Sequence, residues 1–170
     1  MPKSTSTWYT PDFLLKAVSD TFNGQAYYDP TPRAPDVVED GLSTDWSRHK
    51  FIYLNPPIPA ARWADEALAW FSQPDFKSTI IFAAFSPNVL FQQPGLLRHP
   101  MCYIRKRISW IDGRETLLNK EGLEVPNPRF LKGMVGSTQY SAMVLMTKDD
   151  IIKTRFKMAF AALGTITPGY

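Results

Sequence analysis

Asn55-Pro56-Pro57 stands directly after the apolar run Phe51-Ile52-Tyr53-Leu54. A short β-type run followed by Asn-Pro-Pro puts a polar side chain and stiff carbonyls at the carboxyl end of a strand. Open α/β sheets bind their ligands at such ends. Each proline fixes its φ and removes a backbone donor, so the turn presents acceptors. Acceptors so placed suit the exocyclic amine of a nucleobase, a poor nucleophile because its lone pair is delocalised into the ring. The Asn55 side-chain oxygen and the Pro56 carbonyl can hold both amine hydrogens and leave the lone pair more available. A methyl group can then be received in line from a bound donor, with orientation supplying much of the acceleration. The same tripeptide also serves as an ordinary proline-rich turn after a strand, and alone it does not choose between the two.

Alternating strand and helix signals must position this turn. Thr10-Pro11 predicts a helix start, with Thr10 as the cap and Pro11 in the first turn. Leu14, Ala17, Val18 and Phe22 follow at helical spacing until Asn23-Gly24. Ala26-Tyr27-Tyr28 predicts a short strand ending at Asp29-Pro30, and 31–50 a loop rich in Pro, Asp and Ser. After strand 51–54, the pattern gives a helix over 60–71, with Trp63, Ala67, Trp70 and Phe71 near one face. A strand buried on both faces follows over 79–85, then a short helix over 88–93. A strand is expected over 101–111, with Asp112-Gly113 as a hairpin turn. The segment 121–136 reads as irregular. A last strand over 140–146 precedes a helix over 148–163, capped by Thr147. The pattern predicts a three-layer α/β domain with a β-hairpin extension from about Met101 to Leu118.

The chain has 170 residues, 44% hydrophobic and 21% charged, which argues for one globular domain and against disorder. Its net charge of +3 permits a polyanionic partner without requiring one. Cys102 is the sole cysteine, so no internal disulfide forms and a buried, reduced thiol is expected. No apolar stretch has membrane-spanning length, and no signal-like segment opens the chain, so a cytoplasmic location is expected. His49 and His99 lie far apart without a third ligand, and no metal is assigned. Trp8 and Trp46 read first as core residues. Arg105-Lys106-Arg107 reads equally as a solvated strand face or as a phosphate-contacting ribbon, with Arg114, Arg129 and Lys132 as possible additions.

Four clusters stand in order: Trp8-Tyr9-Thr10-Pro11, Asp29-Pro30, Asp40-Gly41-Leu42-Ser43-Thr44-Asp45-Trp46 and Asn55-Pro56-Pro57. As an ordered set they resemble the DNA adenine methyltransferases encoded by phages and prophages, the small Dam-like family. The resemblance covers roughly the first half of the chain and extends more loosely to Arg107-Ile108-Ser109-Trp110. It implies a Rossmann-like methyltransferase fold using S-adenosylmethionine, acting on double-stranded DNA in a bacterial host cell as a monomer or homodimer. It implies that Trp8, Tyr9, Thr10, Pro11, Asp29 and Pro30 line the cofactor, with Asp29 at its methionine part. Asp40 or Asp45 would lie near its adenine or ribose. Asn55, Pro56, Pro57 and Ile58 would form the catalytic motif. Independently of the resemblance, the basic residues Arg105, Lys106, Arg107 and Arg114 are the candidates to face DNA, and at this chain length recognition would come from a region of about 94–140 or from a second subunit.

The family carries an aromatic residue, most often Tyr, where this chain has Ile58. That residue stacks on the flipped base, a contact worth about 1–3 kcal/mol. Ile58 can pack on a base face but has no π system. Two functions follow: an adenine methyltransferase, or a relic of one that binds cofactor, DNA or a host protein without turnover.

Overall fold

The computed structural model describes residues 8–31, 40–57, 59–84, 86–132 and 140–169. Its centre is a mixed five-stranded sheet. β2 (Phe51–Leu54) lies parallel to β3 (Thr79–Ala84), and β8 (Ala142–Met146) runs antiparallel to β3. β4 (Met101–Ile104) is antiparallel to β8, and β9 (Gly164–Thr167) closes the order β2-β3-β8-β4-β9. Outside β2, Tyr28 adds a single parallel bridge to Ile52. Two small ribbons complete the strands. β1 (Trp8–Tyr9) pairs with β5 (Ile111–Asp112), and β6 (Thr116–Leu118) pairs with β7 (Glu124–Pro126).

The period of two along a strand sorts its side chains to opposite faces. Phe51, Tyr53, Ile81, Ala83, Met143 and Leu145 face one layer, built by α1 (Asp12–Thr21) and α4 (Asp150–Phe160). Leu14, Val18 and Phe22 meet Ile152, Phe156 and Phe160 there, all but Ile152 without measurable exposure. Ile52, Leu54, Ile80, Phe82, Val144 and Met146 face the other layer, with α2 (Ala61–Ser72), α3 (Pro87–Gln92) and a 3-10 turn at Pro94–Arg98. Burying each large apolar side chain contributes about 1.5–3 kcal/mol, so the central strands are fixed from both sides. The result is an α/β domain with helices on both faces of a mixed sheet.

Several local expectations change. Thr10 does not cap α1; Pro11 holds the cap position without a side-chain bond, and the Thr10 hydroxyl turns inward instead. Thr147 does not cap α4. Asp149 does, accepting from the amides of Ile151 and Ile152, while Thr147 bonds the Thr79 hydroxyl at 2.9 Å. A buried hydroxyl must find a partner, and in both cases the interior one wins over the cap.

Asp112-Gly113 is not a hairpin turn. β4 ends at Ile104, and Asp112 pairs with Trp8 across β1 and β5. A side chain at Gly113 would collide with the Tyr9 ring, so close approach, not a turn, explains the glycine. The hairpin lies later, β6 to β7, with its turn held by Asn119 Oδ1 accepting from the amides of Glu121 and Leu123. β9 was not expected from the sequence. No helix of the described residues is long and apolar enough to cross a membrane.

Candidate active site at the carboxyl ends of the parallel strands

β2 ends at Leu54, and Asn55-Pro56-Pro57 follows at once, with Asn55 half-buried and Pro56 buried. The strand expected over 26–28 is reduced to a single parallel bridge at Tyr28, which is followed by Asp29-Pro30-Thr31, so this polar turn lies beside the one that leaves β2. Thr31 joins them. Its hydroxyl lies 2.8 Å from Asp29 Oδ1 and 3.1 Å from the Asn55 carbonyl oxygen, and its amide donates to the same Asp29 oxygen at 2.8 Å. Sequence reasoning passed over Thr31. The signal for it was the Asp-x-Thr spacing, in which the aspartate accepts from the backbone two residues on.

Thr10 reaches this place from the opposite side. The β1–β5 ribbon fixes residues 8 and 9, and the Thr10 hydroxyl then meets the Tyr53 hydroxyl at 2.6 Å in the interior. Burial pushes the Tyr53 phenol well above its ordinary pKa of 10.0, and the nearby Asp29 charge pushes it further. Tyr53 therefore stays neutral and hydrogen-bonding at all working pH values. Its place was legible as an inward position of β2, but its polar partner was not.

Asp40 and Asp45 form a second group. Asp40 caps a 3-10 turn at Gly41–Ser43, accepting from the Leu42 amide at 3.1 Å. Asp45 caps another at Trp46–Arg48. It accepts from Ser47 Oγ at 2.6 Å and pairs with Arg48 at 3.0 Å. The Ser47 bond, with help from Arg48, holds the exposed Asp45 carboxyl below its usual range. Both aspartates line an open hollow of about 700 Å³ together with Tyr28, Ser43, Thr44, Arg48 and His49. Tyr28 and His49 stack there with ring centroids 4.0 Å apart and planes 10° from parallel.

The two groups adjoin without merging. A side chain at Gly41 would strike the Pro30 carbonyl, so the loop sits directly on the Asp29-Pro30 turn. Tyr28 Oη and Thr44 Oγ1 meet at 2.8 Å, and Trp46 Nε1 donates to the Gly41 carbonyl at 2.8 Å. Thr10, Asp29, Pro30 and Asn55 thus cluster around Tyr53 and Thr31, whereas Asp40 and Asp45 lie in the hollow beside them. Asp29 and Asn55 are not among the residues of its wall. Tyr9 and Pro11 are buried flanking residues, and Trp8 contributes its backbone to β1. Ile58 lies outside the described residues.

The basic residues divide in the same way. Arg105, Lys106 and Arg107 are exposed just past the end of β4. Arg105 also donates to the Gly164 carbonyl at 3.2 Å, which anchors β9. Arg114 is bidentate on Asp112, at 2.8 and 2.6 Å, and its guanidinium holds the Asp112 carboxyl below the usual range. That arginine is partly exposed and its charge is shared with a buried carboxylate. Cys102 is buried beneath β9, and burial pushes its thiol up to about 12. Among the described residues no group of three or more His, Cys, Asp or Glu could hold a metal ion. Comparison of the chain with protein-family models, with curated proteins and with solved structures returns no match.

Proposed function

We propose that this protein is an S-adenosylmethionine-dependent DNA methyltransferase on a Rossmann-like sheet, acting on the 6-amino group of adenine. The observation that carries the proposal is the tie made by Thr31 between the Asp29 turn, which follows the isolated Tyr28 bridge, and the Asn55 turn at the carboxyl end of β2. Ligands of open α/β sheets lie outside such ends. The order of motifs that resembles the Dam-like family supplies the cofactor and substrate class.

The residues present suit S-adenosylmethionine. The hollow beside Asp29 is open to solvent and is lined by carboxylates, hydroxyls, a stacked aromatic pair and Arg48, whose charge is taken up by Asp45. These match a molecule with an ammonium group, ribose hydroxyls and a purine, and without phosphate. When bound, S-adenosylmethionine supplies the methyl group as an electrophile. Asn55 and Pro56 accept the two amine hydrogens of the adenine and orient its lone pair. Asp29, held by Thr31, attracts the cofactor's ammonium group. Ile58 contacts the face of the base. The base must leave the duplex stack to reach this turn, at a cost of a few kcal/mol. The amine proton leaves to solvent after transfer, so no dedicated base and no covalent enzyme intermediate is needed.

Ile58 in place of an aromatic residue favours a second reading, a relic on the same fold that binds cofactor, DNA or a host protein without turnover. Incubating duplex DNA with labelled S-adenosylmethionine, then analysing nucleosides, separates the two. Methyladenine supports the enzyme, methylcytosine changes its substrate, and no product with cofactor bound supports the relic.

A further inference from the structure

Tyr140 stands where the sheet register brings the chain back to the rim that carries Asn55. Ala142, at the start of β8, pairs with Ala84 at the end of β3 and with Tyr103 near the end of β4. The Ile104 amide donates to the Ser141 carbonyl at 3.0 Å. Tyr140 therefore projects past the same end of the sheet as the turn after β2. β8 is two strands from β2, a lateral offset of about 10 Å. The ring is 55% exposed, and the Arg107 guanidinium lies over it, 5.9 Å from its centroid.

Arg107 over the ring and Lys106 next to it in sequence form no ion pair among the described residues, as most of the chain's lysines and arginines do not, while Arg105 turns its guanidinium to the Gly164 carbonyl on β9. An exposed aromatic ring with an arginine over it, and further basic residues next in sequence, matches a strand that carries both phosphates and π faces. A folded duplex shows its phosphates but keeps its base faces stacked, so the ring calls for an unstacked base.

We propose that Tyr140 and Arg107 form a stacking platform for an unstacked base of the DNA substrate, with Arg105 and Lys106 on its phosphates. This rests on the methyltransferase reading in taking the partner to be DNA. It gives the rim an aromatic surface that Ile58 cannot supply.

The test is fluorescence anisotropy with two labelled single strands of equal length and charge, one of deoxyadenosine and one abasic. The wild type is expected to bind the base-bearing strand at least about fivefold more tightly. Tyr140→Ala should lose that preference while keeping the salt dependence, and Tyr140→Phe should keep both. Arg107→Ala should lower the slope of log affinity against log salt by about one. Equal binding of both strands by the wild type, or an undiminished preference in Tyr140→Ala, would overturn the platform. So would displacement by a polyglutamate peptide with no dependence on the bases, which would make the patch a site for an acidic protein. Because Tyr140 is exposed, its variants should melt with the wild type. Calorimetry with S-adenosylmethionine on the same samples separates the two proposals. Base preference without cofactor binding leaves the platform standing and removes the methyltransferase, and cofactor binding without base preference does the reverse.

Discussion

The Thr31 hydroxyl lies 3.1 Å from the Asn55 carbonyl oxygen, linking two turns 24 residues apart in sequence. The same hydroxyl lies 2.8 Å from Asp29, so its single proton is shared between a carboxylate and a backbone carbonyl. Thr31→Val keeps the shape of the side chain and removes that proton. It should cost about 1 kcal/mol of stability by denaturant unfolding. It should lower both cofactor affinity and methyl transfer, because Asp29 and Asn55 lose their common restraint. Thr31→Ser should restore all three. A Thr31→Val protein with wild-type affinity and turnover would mean that the tie is only a turn.

Asp29→Ala should weaken S-adenosylmethionine binding by about tenfold or more in calorimetry, since a charge-assisted contact is worth roughly 1.5–3 kcal/mol. Asp45→Ala should matter less, because that carboxylate is exposed and already shared by Ser47 and Arg48. The opposite ranking would move the ammonium site into the hollow lined by Asp40 and Asp45.

Arg114 was legible as a cation near other cations, and nothing in the sequence marked its partner. The partner emerges because β5 pairs with β1, which buries Asp112 to 1% exposure. Arg114→Met should therefore cost about 1.5–3 kcal/mol in stability, by removing the charged donor from a carboxylate that keeps its bonds from the residue-114 amide and Asn127. The pair's contribution has a definite pH window. Asp112 has a folded-state pKa lowered by Arg114, so the contribution is fully present above the ordinary value of 3.8 and is lost as pH falls through the lower folded value. Acid unfolding of the wild type should carry this component, and that of Arg114→Met should carry less of it, since the amide of residue 114 and Asn127 still bond the carboxylate. Equal stability of the two proteins at neutral pH would return Arg114 to the DNA-facing set.

The exposed run separates similarly. Lys106→Ala should reduce the salt slope of DNA binding by about one and leave stability unchanged. Arg105→Ala should do both, because its guanidinium also holds the Gly164 carbonyl. Unchanged slopes in both variants would make the run a solvated face.

The pattern of apolar residues made the strands at 51–54 and 79–84 and the faces of α1 and α2 readable, because burial on two faces leaves a continuous apolar run. The turn at Asn55 was readable for the same reason, as a polar residue stopping such a run, whereas the strand expected before Asp29 is only a single bridge at Tyr28. What escaped was set by distant partners. Thr10 is a good cap by type, yet its hydroxyl is claimed by Tyr53, 43 positions away. Asp112-Gly113 has hairpin chemistry, yet Trp8 takes the place of the returning strand. β9 has few apolar residues and exists because β4 offers it an edge. Local composition carries no record of such pairings.

Methylation of DNA adenine by wild type and Asn55→Ala, followed with labelled S-adenosylmethionine, tests the central claim most directly. If the Asn55 side chain holds the reacting amine as proposed, Asn55→Ala should lower turnover about a hundredfold or more, with cofactor affinity little changed. Ile58→Tyr, assayed beside it, should raise methylation by giving the base a stacking face. Methyladenine formed at the wild-type rate by Asn55→Ala would contradict the assignment of the catalytic turn.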